Sequence, residues 1–286
     1  MSDANRVAPE GRARPDILRW IPPTWDHFAG NRRLKRFLMK LLRSARRHVR
    51  EGRVHDLNRL CFVLTGESRS GKTAMVTFFV RCLACLSLDE ETLNPCNYQC
   101  KNCQSNGHID DGTYGIFSLL NMPDGHRSHV HFHLIDAAMV EGPSDLRERV
   151  RELREFEDDI RVVYIDETHR LVRREMDEIL LKAIEQKGYI WIFSTAKPKG
   201  LEDMFLNRLI KVSTELPEVE EMEGWLADRC DEWQINWEPE AVMRVVEKSN
   251  RVPGTALHAV ALATLDPEEG LTLDLVENDW VVQIEG

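Results

Sequence analysis

Short apolar runs alternate with segments of helical period along most of this chain. Leu60–Leu64, Val130–Ile135, Val162–Ile165 and Tyr189–Phe193 are rich in β-branched or aromatic residues, and each gives way to polar residues at its end. Runs this short and this continuous fit strands buried on both faces. Between them, apolar positions at helical spacing predict helices over Met75–Leu86, Leu146–Phe156 and Met176–Glu185. An earlier helix is predicted from Leu34, through Phe37, Leu38, Leu41 and Leu42. Strands alternating with helices predict an α/β fold with a parallel sheet, whose ligands sit at the carboxyl ends of the strands. After Leu216-Pro217 the strand pattern stops, and Glu220–Trp233, Pro239–Lys248 and Thr255–Leu265 read as helices of a small second domain. Trp20–Gly30, with Pro22-Pro23 and Trp25, reads as an extended docking segment, and Met1–Pro15 as a polar arm.

The chain of 286 residues divides on this pattern into a basic arm and helix (1–56), an α/β core (57–214) and an acidic helical lid (215–286). Its 42% hydrophobic and 30% charged residues describe a soluble globular protein. No apolar window of about 18 residues marks a membrane span. Met1–Arg19 has no apolar run, so the expected location is the cytoplasm, where the seven cysteines stay reduced. The net charge is -10, but it is unevenly spread. Residues 1–53 carry 14 Lys and Arg against 5 Asp and Glu, whereas residues 215–286 carry 4 against 18. The dense basic stretch, Arg32 to Arg53, is either a solvated helix face or a phosphate-contacting one.

Gly66-Glu67-Ser68-Arg69-Ser70-Gly71-Lys72-Thr73 matches G-x-x-x-x-G-K-[ST] at every fixed position, after a predicted strand and before a predicted helix. Glycines there let backbone N–H groups close around phosphates, and the helix N-terminus adds positive potential. Lys72 is expected on the β- and γ-phosphates of ATP, and the Thr73 hydroxyl on Mg²⁺. Asp166 and Glu167 end a buried run, where Asp166 can hold the Mg²⁺ shell and Glu167 can polarise the attacking water. Cys96, Cys100 and Cys103 crowd three thiols into eight residues, with Cys85 upstream. Four thiolates suit tetrahedral Zn²⁺, and a metal would fold an insert this poor in apolar residues. Cys82 competes with Cys85 for the fourth place. His108, His126, His129, His131 and His133 read as surface or packing residues, and Cys61 and Cys230 as buried thiols.

This order of features resembles the AAA+ ATPases, and among them the gamma/tau subunit family of the bacterial DNA polymerase III clamp loader. That family places a four-cysteine zinc module between its P-loop helix and its second strand, as Cys85–Cys103 would be here. His133-Leu134-Ile135-Asp136-Ala137-Ala138 is similar to a family "IDAAS" segment, Asp166-Glu167-Thr168-His169 to "DE-x-H", and Leu180, Leu181, Lys182 and Glu185 to "LLK-x-x-E". The likeness spans roughly residues 16–265. It implies an AAA+ P-loop fold with a zinc insert and a helical lid, an oligomer, duplex DNA and a protein partner. Arg208 falls at the family's arginine finger, which acts on a neighbouring subunit's ATP. The family's strand-end γ-phosphate sensor has Ser194, Thr195 and Ala196 as candidates here; the alignment puts Ala196 at the sensing position and leaves Thr195 an indirect role. Its lid sensor aligns with Gly254, where Arg251 is a nearby substitute. The family continues into a collar domain, whereas about 20 residues follow the predicted lid here. That favours a self-assembling regulator, as in transposition or phage defence, over a polymerase-style pentamer. A scaffold that binds ATP without hydrolysing it is the third expectation.

Overall fold

The computed structural model describes residues 17–53, 60–105, 115–119, 128–153, 160–171, 174–186, 188–197, 206–265 and 269–280. These residues fall into two compact units, one over 21–218 and one over 219–280 with residues 17–20.

The larger unit begins with helix α1 (Arg32–Arg50). Strand β1 (Leu60–Thr65), helix α2 (Lys72–Ala84), the short α3 (Lys101–Ser105) and strands β2 (Gly115–Leu119) and β3 (Ser128–Asp136) follow. Then come α4 (Pro143–Glu152), β4 (Ile160–Asp166), α5 (Arg174–Ile184), β5 (Tyr189–Thr195) and β6 (Ile210–Ser213). The six strands lie in the order β2-β3-β4-β5-β1-β6. All neighbours are parallel except β2, which runs antiparallel to β3 at the edge. The four apolar runs are β1, β3, β4 and β5. Their side chains alternate between two cores, as the two-residue period of a strand requires. Phe62, Leu64, Val162, Tyr164, Ile190 and Ile192 pack on one side with α1 and α2. Cys61, Val63, Val163, Ile165, Trp191 and Phe193 pack on the other with α4 and α5. Burial on both faces is why these strands read as unbroken apolar runs.

Helix α1 is amphipathic to an extreme. Leu34, Leu38, Leu41, Leu42, Ala45 and Val49 are buried in the first core. Every exposed position of its 19 residues is Arg or Lys, and it contains no acidic residue. The basic segment is therefore built into the larger unit from Arg32 onward. Trp25, expected in an extended docking segment, sits in a short 3₁₀ turn (Trp25–His27) and is docked on the chain's own core. Its ring meets Phe78 edge to face at 4.8 Å, and its Nε1 donates to Leu93 O at 2.9 Å. His131 is buried and His133 half-buried on one side of β3. Burial, with His131 and Arg161 nearby, pushes the His133 imidazole down to about 4, so it packs as a neutral ring. His108 and His126 lie outside the described residues.

The smaller unit holds α6 (Val219–Glu232), α7 (Pro239–Lys248) and α8 (Pro253–Ala263). Pro at the first helical position of α7 and α8 supplies a preset φ where no N–H partner is needed. Met222, Leu226, Val245, Val246, Ala256 and Val260 are among its buried residues. Trp20 closes this core from the N-terminal side, with its ring 5.2 Å from Trp233 and 6.4 Å from Trp225. Arg251 sits in the left-handed region (φ 62) before α8 and lines a cavity of this unit with Val219, Met243 and Glu247. Gly254 is the second residue of α8. Among the described residues no helix is long and apolar enough to cross a membrane.

Candidate nucleotide site and cysteine knuckle

The loop from Gly66 to Gly71 leaves the carboxyl end of β1 and enters α2 at Lys72. Two glycines make its path possible. Gly71 has φ 90, a conformation that side chains disfavour. A Cβ on Gly66 would meet Thr214 Oγ1 at 1.6 Å. Thr214 is itself fixed by its N–H on Thr65 O (2.7 Å) and its hydroxyl beside Ser70 Oγ (3.2 Å). Asn31, 2% exposed and left-handed at φ 55, ties the loop to the same segment. Its Nδ2 donates to Ser70 O at 3.1 Å, and its Oδ1 accepts from Glu215 N at 3.0 Å. Glu67, Ser68 and Arg69 are exposed along the loop, while Ser70 is buried.

Lys72 is 6% exposed and reaches back across the loop, donating to Gly66 O (3.1 Å) and Glu67 O (2.6 Å). Burial holds its ammonium below the ordinary lysine value, against the opposing pull of Asp166, Glu167 and Glu67. A buried cation cradled by carbonyls at a helix N-terminus is matched to a phosphate chain. Thr73 Oγ1 donates to Asp166 Oδ2 at 2.7 Å, joining the P-loop to the end of β4. Asp166 Oδ1 accepts from Ser194 Oγ on β5 and from Glu167 N, the latter at 2.9 Å. The Tyr164 hydroxyl donates to Ser194 Oγ at 3.0 Å. Burial pushes the Tyr164 phenol up, so it stays a donor. The hydroxyl of Thr73 and the carboxylate of Asp166 thus form an oxygen pair suited to the shell of a hard divalent cation.

Glu167 occupies the left-handed region at φ 51, a strained setting for a non-glycine residue. His169 Nε2 lies 3.4 Å from Glu167 Oε2, and its Nδ1 lies 3.1 Å from Thr195 Oγ1. The buried Thr195 hydroxyl also accepts from Lys197 N at 3.0 Å. The hydroxyl of Thr195 is engaged by His169, and Ala196 follows without a polar side chain. The structure therefore brings together Gly66–Thr73, Asp166, Glu167 and Thr195 at the carboxyl ends of β1, β4 and β5. Arg208 lies outside this cluster. It is exposed on the turn before β6 and pairs with Glu185 at 2.5 Å. Sequence reasoning missed Asn31, Thr214, Tyr164 and His169 as parts of the site, while Ser194 was among its strand-end candidates. Only His169 carried a local signal, as the fourth residue of Asp166-Glu167-Thr168-His169.

The Sγ atoms of Cys85, Cys96, Cys100 and Cys103 lie within 4.8 Å of one another. Tetrahedral Zn–S bonds of about 2.3 Å place sulfurs roughly 3.8 Å apart, so the donor set fits such an ion. Backbone N–H groups point at the sulfurs, with Cys96 N to Cys85 Sγ at 3.3 Å and Cys100 N to Cys96 Sγ at 3.1 Å. The Cys103 thiol donates toward Cys85, which holds Cys85 down at about 5 and pushes Cys103 up. Cys82 is not in the cluster: burial pushes its thiol up and it packs in the first core. Cys85 is the C-cap residue just past α2. The knuckle is anchored to the larger unit by Asn102 Nδ2 on Ala84 O (2.8 Å) and by the Tyr98 ring, 3.7 Å from the buried Arg81 guanidinium. Cys61 and Cys230 are buried as expected.

An α/β sheet with a phosphate loop after β1, one strand from the β6 edge, and paired acids at the end of β4, two strands away, fits the AAA+ type of α/β fold. No family model and no curated protein sequence matches this chain. Solved structures do. RuvB of Thermotoga maritima, a Holliday junction branch migration motor, is similar with TM-score 0.57 and 17% identity, over 91% of this chain and 71% of that one. A mutant form of the same RuvB is similar at TM-score 0.57 and 18% identity, over 91% and 71%. PCH-2 of C. elegans is similar at TM-score 0.51 and 16% identity, over 89% and 68%. These likenesses show an α/β fold of the AAA+ type, and this chain carries the four-cysteine cluster.

Proposed function

We propose that this chain is a clamp-loader-like AAA+ ATPase that assembles as an oligomer and uses ATP binding and hydrolysis to act on DNA or a DNA-bound partner. The observation that carries it is the Thr73–Asp166 hydrogen bond of 2.7 Å, with Lys72 buried beside it. In this reading the loop N–H groups and Lys72 hold the phosphates, and Thr73 and Asp166 hold the Mg²⁺. That ion supplies Lewis-acid stabilisation of phosphate charge. Glu167 orients and polarises water, and Arg208 is exposed for contact with a neighbour's ATP. Cys85, Cys96, Cys100 and Cys103 hold a structural Zn²⁺, which fixes the knuckle. The described role of RuvB as a DNA junction motor supports a DNA-directed function, as do the cations of α1 and of α4.

Turnover and nucleotide binding test it together. Lys72→Ala is expected to lose ATP affinity with the fold intact, since Lys72 supplies charge to phosphates. Glu167→Gln is expected to bind ATP normally and lose turnover by on the order of 10²-fold. Mixing Lys72→Ala with Arg208→Ala protein should restore part of the activity, because some interfaces pair an intact P-loop with an intact finger. Wild-type protein that binds ATP and never turns it over would overturn the hydrolytic reading in favour of an assembly scaffold.

A further inference from the structure

We propose that the solvent face of α1 is a binding surface for the phosphate backbone of duplex DNA. The proposal rests on the DNA-directed reading above and names the surface that serves it. Arg36, Lys40, Arg43, Arg47 and Arg50 follow one another at intervals of four, three, four and three residues, which aligns them in a single stripe. At 1.5 Å per residue the stripe is about 21 Å long. One strand of duplex DNA presents about six phosphates over that length.

The stripe is costly for a free helix. Like charges three and four residues apart repel, and Arg32, Arg33 and Lys35 crowd the positive end of the helix dipole. An ordinary solvated face relieves this by carrying both signs. The chain has 48 Asp and Glu to draw on, and none is in α1. Glu215 pairs with Arg33 at 2.8 Å, and Glu90 pairs with Arg50. Lys40, Arg43 and Arg47 have no carboxylate partner among the described residues. By contrast, the α4 arginines are partly neutralised within their own helix, with Arg149 on Asp145 at 2.8 Å and Arg151 on Glu148 at 3.3 Å. A row of unneutralised cations, kept on one face of a helix whose other face is locked into the core, is complementary to a polyanion of regular charge spacing. Arginine and lysine serve such a surface through phosphate contacts, without reading bases.

The test compares wild-type protein with a Lys40→Gln/Arg43→Gln/Arg47→Gln variant and with Arg147→Gln. Each binds a random-sequence duplex of about 30 base pairs, in a slowly hydrolysed ATP analogue, across a salt series. Gln keeps helix propensity, and all three sites are exposed, so the fold is expected to survive. The proposal expects affinity for the triple variant to fall by on the order of tenfold or more, with the salt slope reduced by about three. Unchanged ATP binding in the same variant would support a surface separate from the nucleotide site. A wild type that binds duplex while the triple variant binds it equally well would overturn the stripe and leave the DNA reading standing. A wild type that binds no duplex in any nucleotide state would overturn both. Loss of self-association in the triple variant, with DNA affinity unchanged, would also overturn the stripe and assign it to an acidic protein surface, such as residues 215–286 of a second copy.

Discussion

His169 touches both Thr195 and Glu167, at 3.1 and 3.4 Å, and so joins the end of β5 to the acid proposed to polarise water. Thr195 has its hydroxyl committed to this contact. A change at the end of β5 can therefore reach Glu167 through the imidazole, beside the route through Ser194 and Asp166. His169→Ala is expected to leave the KM for ATP near the wild-type value and to lower kcat by on the order of tenfold, because it removes a positioning contact rather than the water-polarising group. His169→Gln, which keeps a donor and an acceptor, should recover part of that loss. Steady-state kinetics on the two variants decide it. A KM increase with unchanged kcat would instead make His169 part of ATP binding.

Helix α2 is a single 13-residue rod with a phosphate-loop lysine at one end and a knuckle cysteine at the other. Its last carbonyls are capped from α1, where Arg46 Nη1 donates to Cys85 O at 2.9 Å and Leu83 O at 3.3 Å. Purified protein is expected to hold one Zn²⁺ per chain by elemental analysis. Cys103→Ser should lose it and Cys82→Ser should keep it, since only Cys103 lies in the sulfur cluster. Zinc content unchanged by Cys103→Ser would remove the knuckle as the site. This element was legible in the sequence because its four donors lie within nineteen residues and their chemistry is specific. The P-loop and the Asp166-Glu167 pair were legible for the same local reason, and β1, β3, β4 and β5 because both faces are buried. Strand β6 was not, for its four residues are largely exposed and carry no apolar run. Strand β2 escaped too, because its apolar residues, Ile116, Phe117 and Leu119, are broken by Ser118 and make no long run. Asn31 and Thr214 escaped because their partners are distant in sequence: Asn31 meets Glu215 across 184 residues and Thr214 meets Thr65 across 149.

On the scale of the whole molecule, charge is segregated along the chain, with 14 basic against 5 acidic residues in 1–53 and 4 against 18 in 215–286. The smaller unit reduces its own like-charge strain locally: Arg244 pairs with Glu247 and Glu277, both at 2.6 Å, and Arg229 with Glu232 at 2.8 Å. Helix α1 has no such relief along Lys40, Arg43 and Arg47. The free protein is thus less stable than its fold allows. The same triple substitution that is proposed to weaken DNA binding should raise the thermal midpoint of the free protein. Removing five repulsive pairs at roughly 0.2 kcal/mol each gives about 1 kcal/mol, or ~2–4 °C for a domain of this size. A thermal melt without DNA checks this, and an unchanged or lowered midpoint would refute it. A surface whose loss strengthens the fold is a trade of stability for binding. Selection for heat resistance alone, with no demand on activity, would be expected to erode α1's cations first.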